Sequence, residues 1–152
     1  MKYEVTLKIN CPRSEVIKKM DNVDNMKHWQ RGLMSLEHLS GTPGEEGAKM
    51  KLSYKMGKRN MELIETVTKR NFPEEFHSTY DSKGMHNIQE NYFTETEDGN
   101  TIWTSKCEFV PTGFMMRMMA FLMPGAFKKQ SKKYMIDFKN FVENGESVTQ
   151  SN

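Results

Sequence analysis

Gly113-Phe-Met-Met-Arg-Met-Met-Ala-Phe-Leu-Met123 is an almost wholly apolar run, and Pro124-Gly125 separates it from an amphipathic stretch that ends near Glu143. Pro124 disfavours helical geometry at Met123 and lacks a backbone donor, so we expect a kink or a new helix start there. The second part has the length and the periodicity of a long helix. These two segments therefore predict a lid that covers the rest of the chain.

The second part has one apolar side. At about 100° per residue, all of its large apolar side chains except Ile136 fall within an arc of roughly 120°. These residues are Phe127, Tyr134, Met135, Phe138, Phe141 and Val142. Lysines at positions 128, 129, 132, 133 and 139 lie outside the arc and predict a solvated face. We expect the helix to stop at Gly145 and residues 146–152 to form a flexible polar tail.

The first part, Phe114 to Met123, has Arg117 as its one strongly polar residue. It is about ten residues long, whereas a membrane span needs ~20. A helix that is apolar all round must be covered on every side, or must face a cavity, a partner or a membrane. Three interpretations stay open: a buried core helix, a gate over a pocket, or a surface that contacts a membrane or a second subunit. Its methionines suit all three, because methionine adapts to irregular shapes.

The composition limits the function classes. The chain has 152 residues, enough for one domain, which we place at residues 1–145. A net charge of +2 gives no electrostatic case for nucleic-acid binding. Cys11, Cys107 and the four histidines show no disulfide framework and no metal-ligand spacing, so we expect neither a metal nor another cofactor. The N-terminus lacks the pattern of a signal peptide, and we expect a soluble cytoplasmic protein.

The chain from residue 2 to residue 111 predicts one strand, two short helices and then a series of strands. Apolar and polar residues alternate from Lys2 to Ile9, and Pro12 suits the first turn of a helix that follows. Strands are expected at 33–39, 48–56, 60–68 and 75–80, followed by a final hairpin. Turns of hairpin length join them, which indicates antiparallel pairing. The order predicts an α+β fold in which a curved antiparallel sheet of about seven strands wraps round the long C-terminal helix.

The final hairpin decides which side chains face inward. If Asp98-Gly99 is a two-residue turn, the numbers of opposite residues sum to 197, and Tyr92 faces Ser105. The inward face then consists of His86, Ile88, Glu90, Tyr92, Trp103, Ser105, Cys107 and Phe109. The opposite facing would place Asn87, Gln89 and Asn91 inside. We prefer the first arrangement because it buries the large apolar residues together.

The chain resembles the START-like, helix-grip superfamily, which includes birch-pollen-allergen-like, polyketide cyclase/dehydrase and lipid-transport proteins (SRPBCC). The resemblance covers residues 2–143 and lies in Cys11-Pro12-Arg13-Ser14-Glu15-Val16, Trp29, the segment from Gly41 to Gly47, and Phe109-Val110-Pro111-Thr112-Gly113. It implies a deep hydrophobic cavity between sheet and long helix. Members of the superfamily bind lipids, sterols, plant hormones or polyketides, and a minority are enzymes. No catalytic motif is shared across it, so none is transferred.

We therefore expect a cavity that binds a small hydrophobic molecule such as a lipid or a polyketide. The residues predicted to line it are Trp29, Met50, Leu52, Tyr54, Met61, Leu63, Tyr80, His86, Ile88, Glu90, Tyr92, Trp103, Ser105, Phe114, Met118, Phe121, Phe127, Tyr134 and Phe138.

Three functions are compatible with this pattern. The favoured one is binding or transport of the hydrophobic molecule by a monomer or homodimer without catalysis. The second is a protein- or membrane-interaction module that uses residues 114–123. The third is a cyclase- or dehydratase-type enzyme with Glu90 and His86 as acid and base, because burial would raise the pKa of the carboxyl group. Glu65, which is out of character on the apolar face of its strand, is a further acid/base candidate.

Overall fold

The computed structural model describes residues 1–150, and these residues form seven strands and four α-helices. The strands are β1 (Lys2–Ile9), β2 (Leu33–Ser40), β3 (Lys49–Met56), β4 (Arg59–Asn71), β5 (Glu75–Ser82), β6 (Met85–Glu95) and β7 (Thr101–Pro111). The helices are α1 (Arg13–Met20), α2 (Met26–Trp29), α3 (Phe114–Leu122) and α4 (Pro124–Asn144). Short 3-10 helices occupy Val23–Asn25 and Val148–Gln150.

The strands form one antiparallel sheet in the order β1-β7-β6-β5-β4-β3-β2. Strands β2 to β7 are joined by successive turns, and β1 pairs with β7 at the far end. Helix α4 packs against β1, α1 and α2. The arrangement confirms the predicted α+β fold, with two short helices after the first strand and a long helix at the end.

The apolar side of α4 is buried as its periodicity predicts. Met135, Phe138 and Val142 are buried, and Phe138 is completely inaccessible. The ring of Phe138 meets Trp29 and Trp103 edge-on, with ring centroids 5.0 Å and 5.3 Å away. Burial of a large apolar side chain contributes about 1.5–3 kcal/mol. This aromatic cluster therefore joins α4 to both the sheet and the short helices.

Asp137 is a buried residue on α4 that the apolar periodicity does not predict. Its carboxylate accepts two hydrogen bonds from Arg31, from Nε at 2.6 Å and from Nη2 at 3.0 Å. The Asp137 side chain is 7% exposed, whereas that of Arg31 is 45% exposed. Charge-assisted pairs of this two-bond form are among the stronger hydrogen-bonded contacts in proteins. The pair ties the segment after α2 to the middle of α4.

The register of the β6–β7 hairpin differs from the prediction by one residue. Glu95 pairs with Thr101 and Asn91 with Ser105, so opposite numbers sum to 196. Asp98 and Gly99 belong to a three-residue loop, in which Gly99 N–H donates to the Thr96 carbonyl at 3.1 Å. Gly99 takes a φ of 81°, a left-handed conformation that closes such loops and favours glycine. The prediction of a two-residue turn was wrong.

A one-residue shift turns every side chain of a strand to the other face. His86, Ile88, Glu90 and Tyr92 consequently lie on the outer face of β6, and their predicted inward facing was wrong. Tyr92 Oη donates to Glu90 there at 2.8 Å, and His86 Nδ1 lies 2.5 Å from Asp81. The inward residues of β6 are Met85, Asn87, Gln89, Asn91 and Phe93, of which all but Phe93 line the cavity described below.

Helix α3 lies at the surface. None of its residues is buried, and the exposed fraction reaches 72% for Phe114 and 84% for Phe121. The interpretation of this segment as a buried core helix is therefore wrong. Gly145 ends α4, as predicted. Residues 148–150 form a 3-10 helix, and the Ser147 hydroxyl lies 2.9 Å from His28 Nδ1; flexibility of the tail stays a prediction. Residues 151 and 152 of that tail lie outside the described residues.

Replacing Arg31 tests the buried ion pair. In Arg31→Met the Asp137 carboxylate loses both donors, and we expect the free energy of unfolding to fall by about 1–3 kcal/mol. Urea denaturation followed by circular dichroism measures the change. Arg59→Met, which removes an exposed arginine at the start of β4, is the matched control and should change stability by less than about 0.5 kcal/mol. Equal stability of the two variants would contradict the role assigned to the pair.

Candidate ligand cavity between the sheet and α4

A cavity of about 1030 Å³ lies between the inner face of the sheet and α4. Strands β2 to β7 supply its floor, and Phe127, Gln130, Ser131, Tyr134 and Met135 of α4 supply its roof. Its volume is at the upper end of the range typical of small-molecule sites. Helix α4 contacts the sheet through the Phe138 cluster and, nearer its N-terminus, through Phe127, whose ring centroid lies 4.4 Å from that of Phe109 on β7.

Strand register places one straight row of side chains across the cavity floor. Each member of the row is paired with the next on the neighbouring strand. In order from β2 to β7 the row is His38, Met50, Glu65, Tyr80, Asn87 and Phe109, and all six line the cavity. The centre of the floor is therefore polar, because Glu65, Tyr80 and Asn87 lie side by side on three neighbouring strands.

Glu65 is the carboxyl group at the centre of this row. It lies opposite Tyr80, whose hydroxyl is hydrogen-bonded to it, and opposite Met50 on the other side. Burial raises the pKa of Glu65, and the hydrogen bond from Tyr80 offsets only part of that rise. Burial also raises the pKa of Tyr54, Tyr80 and Tyr134, so these phenols stay neutral.

Other polar groups on the cavity wall bond to each other. Tyr54 Oη donates to Gln30 Oε1 at 3.1 Å, and Trp103 Nε1 donates to Asn91 Oδ1 at 2.9 Å. Gln89 Nε2 donates to Ser105 Oγ at 3.1 Å. Among the described residues, the buried atoms Trp29 Nε1 and Asn87 Oδ1 have no hydrogen-bond partner. Such unpaired buried atoms are rare, and both belong to residues that line the cavity.

One rim of the cavity is held by Arg70. Its guanidinium donates to the two carboxylate oxygens of Asp21 at 2.7 Å and 2.6 Å, and to the Gly44 carbonyl at 3.1 Å. It also lies over the ring of Phe72, 4.9 Å from the centroid. Arg70 therefore links β4 to the end of α1 and to the β2–β3 loop, three segments that border the cavity.

The structure brings about half of the predicted lining residues together around the cavity. These are Trp29, Met50, Tyr54, Met61, Leu63, Tyr80, Trp103, Phe127 and Tyr134. They lie on β3, β4, β5, β7, α2 and α4, where alternation or helical periodicity gave the correct face. Whether they contact a ligand stays a prediction.

The remaining predicted residues lie elsewhere, for three different reasons. Leu52, Ser105 and Phe138 face inward but are fully enclosed by neighbouring side chains. His86, Ile88, Glu90 and Tyr92 lie on the outer face of β6 because of the register shift; Ile88 and Glu90 border a smaller hollow of about 420 Å³. Phe114, Met118 and Phe121 are exposed on α3, from which Met116 reaches the cavity instead.

Sequence reasoning considered and rejected the arrangement that turns Asn87, Gln89 and Asn91 inward, and it gave Glu65 little weight. Reading a strand from its hydrophobic alternation places polar residues in solvent. These polar side chains border an internal cavity instead. The signal that could have found Glu65 was its position in phase with Met61, Leu63 and Val67, all of which line the cavity. The acid/base pair proposed from sequence, His86 and Glu90, does not converge inside the cavity.

No group of three or more potential metal ligands is assembled within the described part of the chain. Among residues 1–150, no helix combines the length and the apolar character needed to cross a bilayer. Cys11 and Cys107 are free thiols, the first half-buried and the second buried.

Solved structures share this architecture over nearly the whole chain. A conserved protein from Geobacillus kaustophilus has a TM-score of 0.77 at 15% identity, covering 96% of this chain and 97% of that chain. Ara h 8.0201 has a TM-score of 0.74 at 14% identity, with coverages of 93% and 97%. Norcoclaurine synthase from Thalictrum flavum has a TM-score of 0.70 at 10% identity, with coverages of 95% and 87%.

These likenesses define the class of fold. The chain has the helix-grip fold of START-like, birch-pollen-allergen-like proteins, as its sequence motifs predicted. Identities of 8–15% with such structures show the fold alone. The sequence matches no protein-family model and no curated protein.

The titration of Glu65 makes stability depend on pH. Because its pKa is raised in the folded state, the folded protein holds the proton more tightly than the unfolded chain. Wild type therefore loses stability as pH rises from the unfolded value of 4.5 through the folded pKa. Glu65→Gln lacks this loss, so its stability relative to wild type should increase with pH across that window. Urea unfolding at several pH values measures the difference, and a difference independent of pH would contradict the burial assigned to Glu65.

Proposed function

We propose that this protein binds a small hydrophobic molecule in the cavity between the sheet and α4. The observation that carries the proposal is the cavity itself, about 1030 Å³ in volume and lined largely by methionine, leucine and aromatic side chains. Transfer of apolar ligand surface from water into such a space contributes about 25 cal/mol per Å². A few polar groups on the wall, with Glu65 at the centre, would set the orientation of the ligand.

Two further features support binding as the function. Helix α4 contacts the sheet through the Phe138 cluster and through the Phe127–Phe109 ring pair, yet the space beside Gln130, Ser131 and Tyr134 stays open. The Arg70–Asp21 pair fastens the end of α1 to β4 at the rim of that space. We also infer a cytoplasmic location, with which the free thiols of Cys11 and Cys107 agree.

Filling the cavity tests the proposal. Leu63 points into the cavity, whereas its neighbour Ile64 does not contribute to the cavity wall. We expect Leu63→Trp to weaken binding of the neutral dye Nile red by at least about tenfold, because the indole occupies the ligand space. Ile64→Trp, on the same strand, is the matched control and should bind the dye as wild type does. Fluorescence titration gives the affinities, and near-ultraviolet circular dichroism confirms that both variants fold.

Equal dye binding by Leu63→Trp, Ile64→Trp and wild type would show that the dye binds outside the cavity. Native mass spectrometry of the purified protein adds a direct measurement, since a co-purifying apolar molecule would increase the mass of wild type and be absent from Leu63→Trp. Absence of dye binding from all three proteins would overturn the proposal.

A second candidate function is contact with an anionic membrane through α3. The observation that favours it is the exposure of Phe114, Met115, Phe121, Leu122 and Met123, each of which is more than half exposed. Exposed apolar surface of this kind marks interaction sites. The lysines that follow on α4, at positions 128, 129, 132 and 133, are exposed and would attract anionic headgroups. Met116 of the same helix borders the cavity, so a membrane contact would lie beside the ligand space.

Vesicle flotation tests this second function. We expect wild type to float with phosphatidylserine-containing vesicles, and Phe121→Ser/Leu122→Ser to lose at least about fivefold of the bound fraction because the apolar contact is removed. Met34→Ser, which removes an exposed methionine on β2, is the matched control. Wild type that stays with the soluble fraction would remove the membrane function and leave the ligand proposal unaffected.

A further inference from the structure

Glu65 is a carboxyl group inside an apolar cavity without a cationic partner. None of the ion pairs formed among the described residues involves it. The other carboxyl group on the cavity wall, Asp21, is neutralised by Arg70 at the rim. Glu65 is thus the one cavity carboxyl, within residues 1–150, whose charge the protein leaves uncompensated.

The neighbours of Glu65 supply hydrogen bonds but no positive charge. Tyr80 lies directly across on β5 and is hydrogen-bonded to the carboxyl group, and Met50 occupies the facing position on β3. Tyr54 is near enough to interact electrostatically with Glu65, but its hydroxyl donates a hydrogen bond to Gln30 Oε1. An ionised carboxylate in such a place is costly unless a cation accompanies it. A ligand that brings the cation would remove that cost.

Resting on the proposed function, we propose that the cavity takes an apolar molecule carrying one amino group, whose ammonium pairs with the Glu65 carboxylate beside Tyr80. The remaining apolar part of the ligand lies against the methionine and aromatic side chains of the floor and roof. An ammonium–carboxylate hydrogen bond is roughly twice as strong as a neutral one. The ligand class is therefore a hydrophobic primary amine rather than the corresponding alcohol or acid.

The proposal includes a dependence on pH. Tyr80 on β5 lies opposite Glu65, and Tyr54 on β3 interacts with it electrostatically. Tyr134 on α4 and His38, at the end of the row beyond Met50, are other titratable groups on the cavity wall. Further charged groups lie on the same wall. Asp21 is paired with Arg70, and the ammonium of Lys49 is hydrogen-bonded to Thr66. Below the folded pKa of Glu65, amine binding must displace a proton from the carboxyl group. Amine affinity should consequently rise as pH rises through that pKa and then become constant, while alcohol affinity should not follow this course.

Competition between matched ligands tests the inference. Decylamine, decanol and decanoate share one chain and differ in the head group. Each is titrated against bound Nile red at concentrations below micelle formation, and displacement of the dye measures its affinity. We expect wild type to bind decylamine at least about tenfold more tightly than decanol, and decanoate least tightly, because its charge repels Glu65. Glu65→Gln should remove the amine preference, so that decylamine and decanol bind this variant with equal affinity.

Glu62→Gln is the matched control, since Glu62 is an exposed glutamate on the same strand that does not border the cavity. It removes the same charge and should keep the tenfold preference. Equal affinities for decylamine and decanol in wild type, or a preference that survives in Glu65→Gln or disappears in Glu62→Gln, would overturn the amine inference while cavity binding stands. Failure of all three ligands and of the dye to bind wild type would overturn the proposed function itself.

Discussion

The contact of Phe138 with Trp29 and Trp103 determines the distance between α4 and the sheet. Phe138 is completely buried, and its ring meets both indoles nearly perpendicularly, at 71° and 78°. Three large rings in edge-on contact cannot be compressed, so the helix axis is held away from the strands. A second ring pair, Phe109 with Phe127 at 4.4 Å, positions the helix nearer its N-terminus. The cavity is the space that α4 and the inner face of the sheet enclose.

Polar contacts fasten segments around that space. Arg31 and Asp137 fasten α4 to the segment after α2, and Arg70 with Asp21 fastens the opposite rim. Both pairs are formed between segments far apart in sequence, and both use two hydrogen bonds, which restricts their geometry more than a single contact would. Glu65 lacks such a partner. Two compensated carboxylates therefore contrast with one uncompensated carboxyl, and the uncompensated one lies in the middle of the cavity floor.

The fold was predictable because its signals are local and repeated. Alternation defines β1, β3 and β4, and the 3.6-residue periodicity of α4 identifies the buried stripe that contains Phe138. The site was predictable on β3 and β4, which the two-residue turn Gly57-Lys58 joins, because a turn of this length fixes the register of the two strands. It was not predictable on β6. An Asp-Gly pair occurs in both two- and three-residue loops, and one additional loop residue moves every side chain of the strand to the opposite face of the sheet.

The sequence by itself determined the order of the elements, the stripe of α4 and the inward faces of β3 and β4, because each depends on periodicity within one segment. The tertiary structure alone decided the facing of β6, the exposure of α3 and the row that carries Glu65 and Tyr80. These depend on register between segments and on the space left between layers. Hydrophobic pattern assigns polar residues to solvent, and it therefore fails where a polar side chain such as Gln89 faces an internal cavity. The position of a functional group in this protein is set by which strand lies opposite it.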